Sequence, residues 1–266
     1  MQRRRLIFQS LAVLLPVCCP INAQQSMPGP PAVSMVISGS AQLMPLEKAL
    51  LAQTKTKPTS LGSLSADSTL NRSLQAGVNT VAIDAQSRTS SVLGATSIGE
   101  AASIFSGALA KRKASVTYVW AIPGVASNNI APSSLPVFQV NFAAVPGANP
   151  DDYEPAIIKL TPIQNANRVL GATEGKVDAS QSAASDWQLY SSFLEDRVGL
   201  NSKKTGRGQF EISPATPLLP GEYSIVLRPI SRTKKFSGAD IARNQGDGMI
   251  FNAVWSFQVP IDARAQ

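Results

Sequence analysis

The chain has 266 residues, 24 Lys and Arg against 17 Asp and Glu, a formal net charge of +7, no histidine and two cysteines. The missing histidine excludes a Ser-His-Asp relay and imidazole metal sites. Both cysteines, Cys18 and Cys19, lie within the first 23 residues, so residues 24–266 also lack disulfides, thiol nucleophiles and thiolate metal sites.

Arg3, Arg4 and Arg5, the apolar run Leu6–Val17 and the small-residue site Ile21-Asn22-Ala23 predict a secretory signal over 1–23, cleaved after Ala23. The run is about a dozen residues, short of the roughly 20 that a membrane-spanning helix needs. Arg3-Arg4-Arg5-Leu6-Ile7 weakly suggests a twin-arginine signal. A lipoprotein signal at Cys18 or Cys19 fits poorly, because neither cysteine follows a small residue. An extracytoplasmic product, periplasmic or secreted, is therefore expected, with no transmembrane segment in the mature chain. Its balance would be 21 basic against 17 acidic residues, a mild +4 with no aromatic-interleaved basic tract, which does not argue for nucleic acid.

Residues 24–34 read as a Pro-rich linker, and 35–113 as a Ser/Ala/Gly-rich N-terminal region with short helices. Within these stretches Val33–Gly39 predicts a strand, Met44–Thr54 a helix entered at Pro45, Thr56–Asp67 a loop and Val78–Ile83 a strand. Ser97-Ile98-Gly99-Glu100 has capping-box spacing. Ile98, Ala101, Ala102, Phe105 and Leu109 follow at helical intervals, and Lys111, Arg112 and Lys113 close the turn. That pattern fits a helix laid on a sheet better than a membrane-surface helix, since its cations sit at one end.

From 114 to 262 the pattern is that of a β-sandwich. Val116–Ile122 and Val137–Phe142 predict strands, Ala156–Thr161 and Arg168–Thr173 a hairpin around 164–167, and Asp186–Leu194 a short helix. Arg197–Lys203 and Gln209–Ser213 predict a second hairpin through Lys204-Thr205-Gly206-Arg207-Gly208. Leu219-Pro220-Gly221-Glu222-Tyr223 is a turn running into an alternating strand, and Phe251–Val259 is the last strand. A tyrosine just after a Pro-Gly-x turn is the pattern of a tyrosine corner, in which the phenol closes a hydrogen bond to nearby backbone.

Tyr118-x-x-x-x-Pro123-Gly124, Val137-Phe138-Gln139-Val140, Leu218-Leu219-Pro220-Gly221-Glu222-Tyr223 and Trp255-Ser256-Phe257 together resemble a domain of secreted bacterial proteins of unknown function. The Pro-Gly-Glu-Tyr strand is also similar to immunoglobulin-like and prealbumin-like sandwich domains. The resemblance spans about Ser115 to Pro260. The pattern predicts a mainly β fold, an antiparallel immunoglobulin-like β-sandwich of about seven strands with a partly helical, partly irregular N-terminal region; the resemblance supports the sandwich and brings no catalytic residues.

With His and Cys excluded, acids are the main remaining catalytic or metal-binding groups. Asn149, Asp151, Asp152 and Glu154 offer oxygens to calcium, although their spacing is not that of an EF-hand and equally suits a solvated turn. The long connection Ser231–Met249 carries Arg232, Lys234, Lys235, Asp240, Arg243 and Asn244, which suit an anionic glycan or a partner protein, and Gly238–Arg243 is long enough for a helical turn. Trp120 and Trp255 belong to apolar strands and read as core, which leaves Trp187 as the tryptophan for stacking on a sugar. The expectation is a non-enzymatic structural or protein/glycan-binding module without a cofactor. A carboxylate-based carbohydrate-active enzyme or lectin, and a subunit of a surface assembly, are the alternatives.

Overall fold

Residues 29–67, 70, 72–74, 115–163 and 166–262 are described by the structure, a computed structural model. The expected signal peptide, the strand at Val78–Ile83 and the capping-box helix from Ser97 lie outside the described residues.

The fold is mainly β, with sixteen strands among the described residues, all in antiparallel sheets. The N-terminal segment supplies β1 (Ala32–Ile37), β2 (Ser40–Leu43), β3 (Glu47–Lys48) and β4 (Leu50–Thr54). After residue 114 come β5 (Ser115–Pro123), β6 (Val137–Asn141), β7 (Tyr153–Lys159), β8 (Thr161–Ile163), β9 (Asn167–Lys176) and β10 (Ser185–Trp187). The remainder is β11 (Asp196–Arg197), β12 (Leu200–Gly206), β13 (Gln209–Pro214), β14 (Gly221–Pro229), β15 (Phe236–Ser237), helices α1 (Gly238–Arg243) and α2 (Asp247–Phe251), and β16 (Ala253–Val259).

Three sheets form layers. An open sheet has the order β12-β13-β6-β1-β2, a central sheet β11-β7-β14-β16-β3, and a back sheet β4-β5-β9-β8, while β10 and β15 pair by themselves. On β14, Tyr223, Ile225 and Leu227 alternate with Ser224, Val226 and Arg228, and both sets are buried. A strand buried on both faces needs a layer on each side. Phe138 of the open sheet packs on Phe257 with ring centroids 4.9 Å apart, covering one face. Trp120 of β5 lies near Phe193 and Phe251, at 5.2 and 5.6 Å, and helps to cover the other. The far face of the back sheet, with Val119, Ala121, Val169 and Ala172, is packed by Leu61, Leu64, Leu70 and Leu74.

Close approach between the back sheet and its neighbour requires Gly171 of β9, because a Cβ there would stand 2.3 Å from the Phe193 ring and 2.8 Å from the Leu194 carbonyl oxygen. Arg168 joins layers from the same strand. Its guanidinium, 2% exposed, bonds Glu222 at 2.9 Å, Glu47 at 3.5 Å and the carbonyls of Pro123 and Gly124.

Several expected elements differ. The helix over Met44–Thr54 is instead β3 and β4, because Leu50–Thr54 pairs along β5 from Ala121 to Thr117. The helix over Asp186–Leu194 is instead β10 followed by turns. Residues 185–187 are drawn into a strand by pairing with Phe236 and Ser237, and Leu189, Tyr190 and Phe193 reach the core from the turns that follow. The expected 156–173 hairpin belongs to β8 and β9, while β7 pairs with β14 and β11 in the central sheet. Residues 32–54 contribute strands to all three large sheets.

Tyr223 OH donates to the Leu219 carbonyl at 2.9 Å, the bond expected of a tyrosine corner. Tyr223→Phe is predicted to lower unfolding free energy by about 1 kcal/mol, measured by urea denaturation, with the fold unchanged by circular dichroism.

Candidate functional site

The connection from Ile230 to Asn252 is folded onto the core. Phe236 is buried and lies 5.4 Å from Phe251, and Ile241 and Ile250 are buried. Ser237 caps α1 by accepting from the Asp240 amide, and Asn244 ends it at φ +57°, the left-handed conformation that Asn tolerates after a helix. A Cβ on Gly238 would stand 1.7 Å from the Ala179 carbonyl oxygen, so only glycine lets the start of α1 rest there. Asn252 ties the end of the connection to the back sheet, donating to the Ile241 carbonyl at 2.7 Å and accepting from Trp120 Nε1 at 3.0 Å.

The expected ligand-binding residues therefore divide. Lys234 is held inward, 2.8 Å from Asp152 and 3.2 Å from Asp247, with Tyr153 OH donating to Asp247 at 2.7 Å. Burial works against the Lys234 charge, but those carboxylates outweigh it and hold the amine above its ordinary value. Asp240 and Asn244 serve the ends of α1. Arg232, Lys235 and Arg243 remain exposed. Trp187 is half-buried against Tyr118, with ring centroids 4.8 Å apart, and continues the aromatic packing of the interior.

The proposed calcium oxygens point to different cations. Asp151 bonds Arg207 at 2.9 Å and Lys204 at 3.4 Å, Asp152 bonds Lys234, and Glu154 lies 3.3 Å from Arg197. Asn149 accepts from Arg207 at 3.0 Å and donates to Asp152. The hydrogen bond from Arg207 holds the Asp151 carboxyl below the usual carboxylate range. Among the described residues no three acids gather as a metal site.

A charge network beneath the connection has no motif in the sequence. Arg228, 1% exposed, donates from Nε to Glu195 at 2.7 Å and from Nη1 to the Phe251 carbonyl, and its guanidinium lies 4.6 Å over the Phe251 ring. Glu195, 2% exposed, also accepts from Arg197 at 2.8 Å and from Tyr190 OH at 2.8 Å, and Arg197 in turn donates to the Tyr190 hydroxyl. Arg232 stacks on the Tyr190 ring at 4.5 Å. Burial raises the Tyr190 phenol, with Glu195 adding to the effect, to about 12. Burial also pushes the Glu195 carboxyl up, but Arg228 and Arg197 outweigh it and hold the group below its ordinary value. The available signal was the placement of Arg228 on a strand with Ser224 and Val226, but alternation alone does not say that both faces are covered.

An open depression of about 200 Å³ lies elsewhere, on the open sheet, lined by Val137, Asn201, Lys203, Glu211, Ile212 and Ser213. No helix among the described residues is long and apolar enough to cross a membrane. No protein-family model matches the chain, and neither a curated protein nor a solved structure matches it.

Glu195→Gln leaves Arg228 without its counter-charge and is predicted to cost about 3–5 kcal/mol, read by urea denaturation. Because the Glu195 pKa is depressed in the folded state, its contribution is present above the ordinary carboxylate pKa and is lost as pH falls through the lower folded value. Acidification should therefore destabilise the native chain more steeply than Glu195→Gln, as followed by melting temperature against pH.

Proposed function

We propose that this chain is an exported immunoglobulin-like β-sandwich module that binds a protein or glycan of the cell envelope and is not an enzyme. The observation that carries the reading is the open sheet. Val33, Met35, Phe138, Val140 and Ile212 cover the core, while Gln139, Asn141, Gln209, Glu211 and Lys203 project from the other face into solvent. Among the described residues β14 and β16 of the central sheet are buried on both faces. The open sheet also ends at both sides in exposed strands, β2 and β12.

The immunoglobulin-like assignment is supported by the Tyr223–Leu219 bond and by the face-to-face packing of the open and central sheets. Export is supported by the arginines, apolar run and small-residue site of residues 1–23. A carboxylate hydrolase works with two acids facing its substrate at about 5–10 Å. Here Glu195, Glu222, Asp151, Asp152 and Asp247 each contact a Lys or Arg, which favours a binding role.

Capture of an envelope component by the purified chain, weakened at least severalfold by Gln139→Glu combined with Gln209→Glu without loss of melting temperature, is the expected outcome. Capture that ignores both substitutions would overturn the assignment of binding to this face. Trp187→Ala is predicted to lower stability by about 3 kcal/mol or less, given its half-buried site, and to leave glycan-array binding unchanged. A stable Trp187→Ala chain that had lost glycan binding would favour the lectin reading. Mass spectrometry of the extracytoplasmic protein should place its first residue at Gln24.

A further inference from the structure

We infer that β12 is a docking edge for an extended acidic segment of a partner protein, which joins the open sheet as an added strand. The inference rests on the binding role proposed above and supplies its place and the chemistry of its partner.

β12 is the outermost strand, and its sheet pairing is with β13 alone. Five successive residues, Leu200 to Lys204, pair in register with Pro214 to Phe210, and the irregularity comes only between Lys204 and Gly206. This gives a regular edge about 16 Å long. In an antiparallel pair, alternate residues of the outer strand turn their N–H and C=O groups away from the partner strand. Among the described residues, none of 200–206 makes a backbone hydrogen bond beyond β13. Asn201 to Thr205 are exposed, and the open depression lies alongside them, with Val137 and Ile212 in its lining. An added strand would have free main-chain partners along β12.

Charge decides which strand fits. Lys203 and Lys204 are consecutive and therefore point to opposite faces, so an incoming strand meets a cation on either side. Lys203 stands opposite Glu211 of β13 in register, without an ion pair between them, and both line the depression. Lys204 shares Asp151 with Arg207, leaving two cations around one acid. A second copy of β12 fits badly. Full antiparallel overlap of two 200–206 strands places Lys203 opposite Lys203, and like charges directly opposite are unfavourable. Lysines on an exposed edge discourage self-pairing. The same lysines favour a strand with Asp or Glu at the facing positions.

The experiment uses the full chain as processed by its host and two synthetic probes, an extended Thr/Val peptide with Glu at alternate positions and the same peptide with Lys in place of Glu. The expected result is saturable binding of the Glu peptide that weakens with salt, with protection from hydrogen exchange gained in 200–206. Lys203→Glu with Lys204→Glu should weaken Glu-peptide binding about tenfold or more and favour the Lys peptide. Equal binding of both peptides, or protection elsewhere, overturns the inference. So does a concentration-dependent dimer protected over 200–206, which would make a second copy the occupant. If envelope capture survives the double charge reversal while neither peptide behaves as expected, the β12 inference fails and the binding role stands. If neither chain captures anything, the binding role fails with it.

Discussion

Arg228 lies inside the protein at 1% exposure, so its guanidinium charge must be compensated by the groups around it. The local structure is arranged around that charge. Glu195 supplies the counter-charge, the Leu227 and Phe251 carbonyls take further N–H groups, and the rings of Phe193 and Phe251 cover the flat faces. These contacts recruit β14, the turn before β11 and the end of α2, which are distant in sequence. Arg168 does the same between the back and central sheets, gathering Glu47, Glu222 and the turn after β5. Removing Glu195 costs more than a hydrogen bond, because it leaves the buried Arg228 charge uncompensated.

The two networks also explain why the expected ligand-binding connection is largely structural. Its return to β16 passes α2, whose final carbonyl accepts from Arg228, and Asn252 then bonds both Ile241 and Trp120. Lys234 closes a second tie through Asp152 and Asp247. Lys234 is held by the protein's own acids and Asp240 and Asn244 serve the ends of α1, while Arg232, Lys235 and Arg243 stay exposed. Also uncovered are the outer face and the edges of the open sheet, where Gln139, Glu211 and Lys203 replace the apolar residues of the inner face.

Alternation made much of the fold legible. Val116–Ile122, Val137–Phe142 and Phe251–Val259 read as strands because their β-branched and aromatic residues suit pleated pairing, and β5, β6 and β16 occupy those stretches. The β12–β13 hairpin followed from Gly206 and Gly208, and α1 spans the expected Gly238–Arg243. Leu50-Leu51-Ala52-Gln53-Thr54 misled because nothing local distinguishes a short apolar helix from an edge strand. Pairing with β5 decides it. The candidate site was less legible. Arg232, Lys235 and Arg243 are exposed as a long polar connection suggests, but the partners of Lys234 come from residues 152 and 247, which no spacing rule connects.

By itself the sequence determined the mainly β character, the turn that sets Tyr223 against Leu219, and the exclusion of histidine and cysteine chemistry from residues 24–266. These follow from residue type and spacing over a few positions. Tertiary structure alone decided that β14 would be covered on both faces, that Glu195 and Arg228 would meet, and that β12 would be left at an edge. The physical reason is that periodicity assigns a side chain to a face, whereas the layer that covers the face, and the charge that compensates it, come from distant segments.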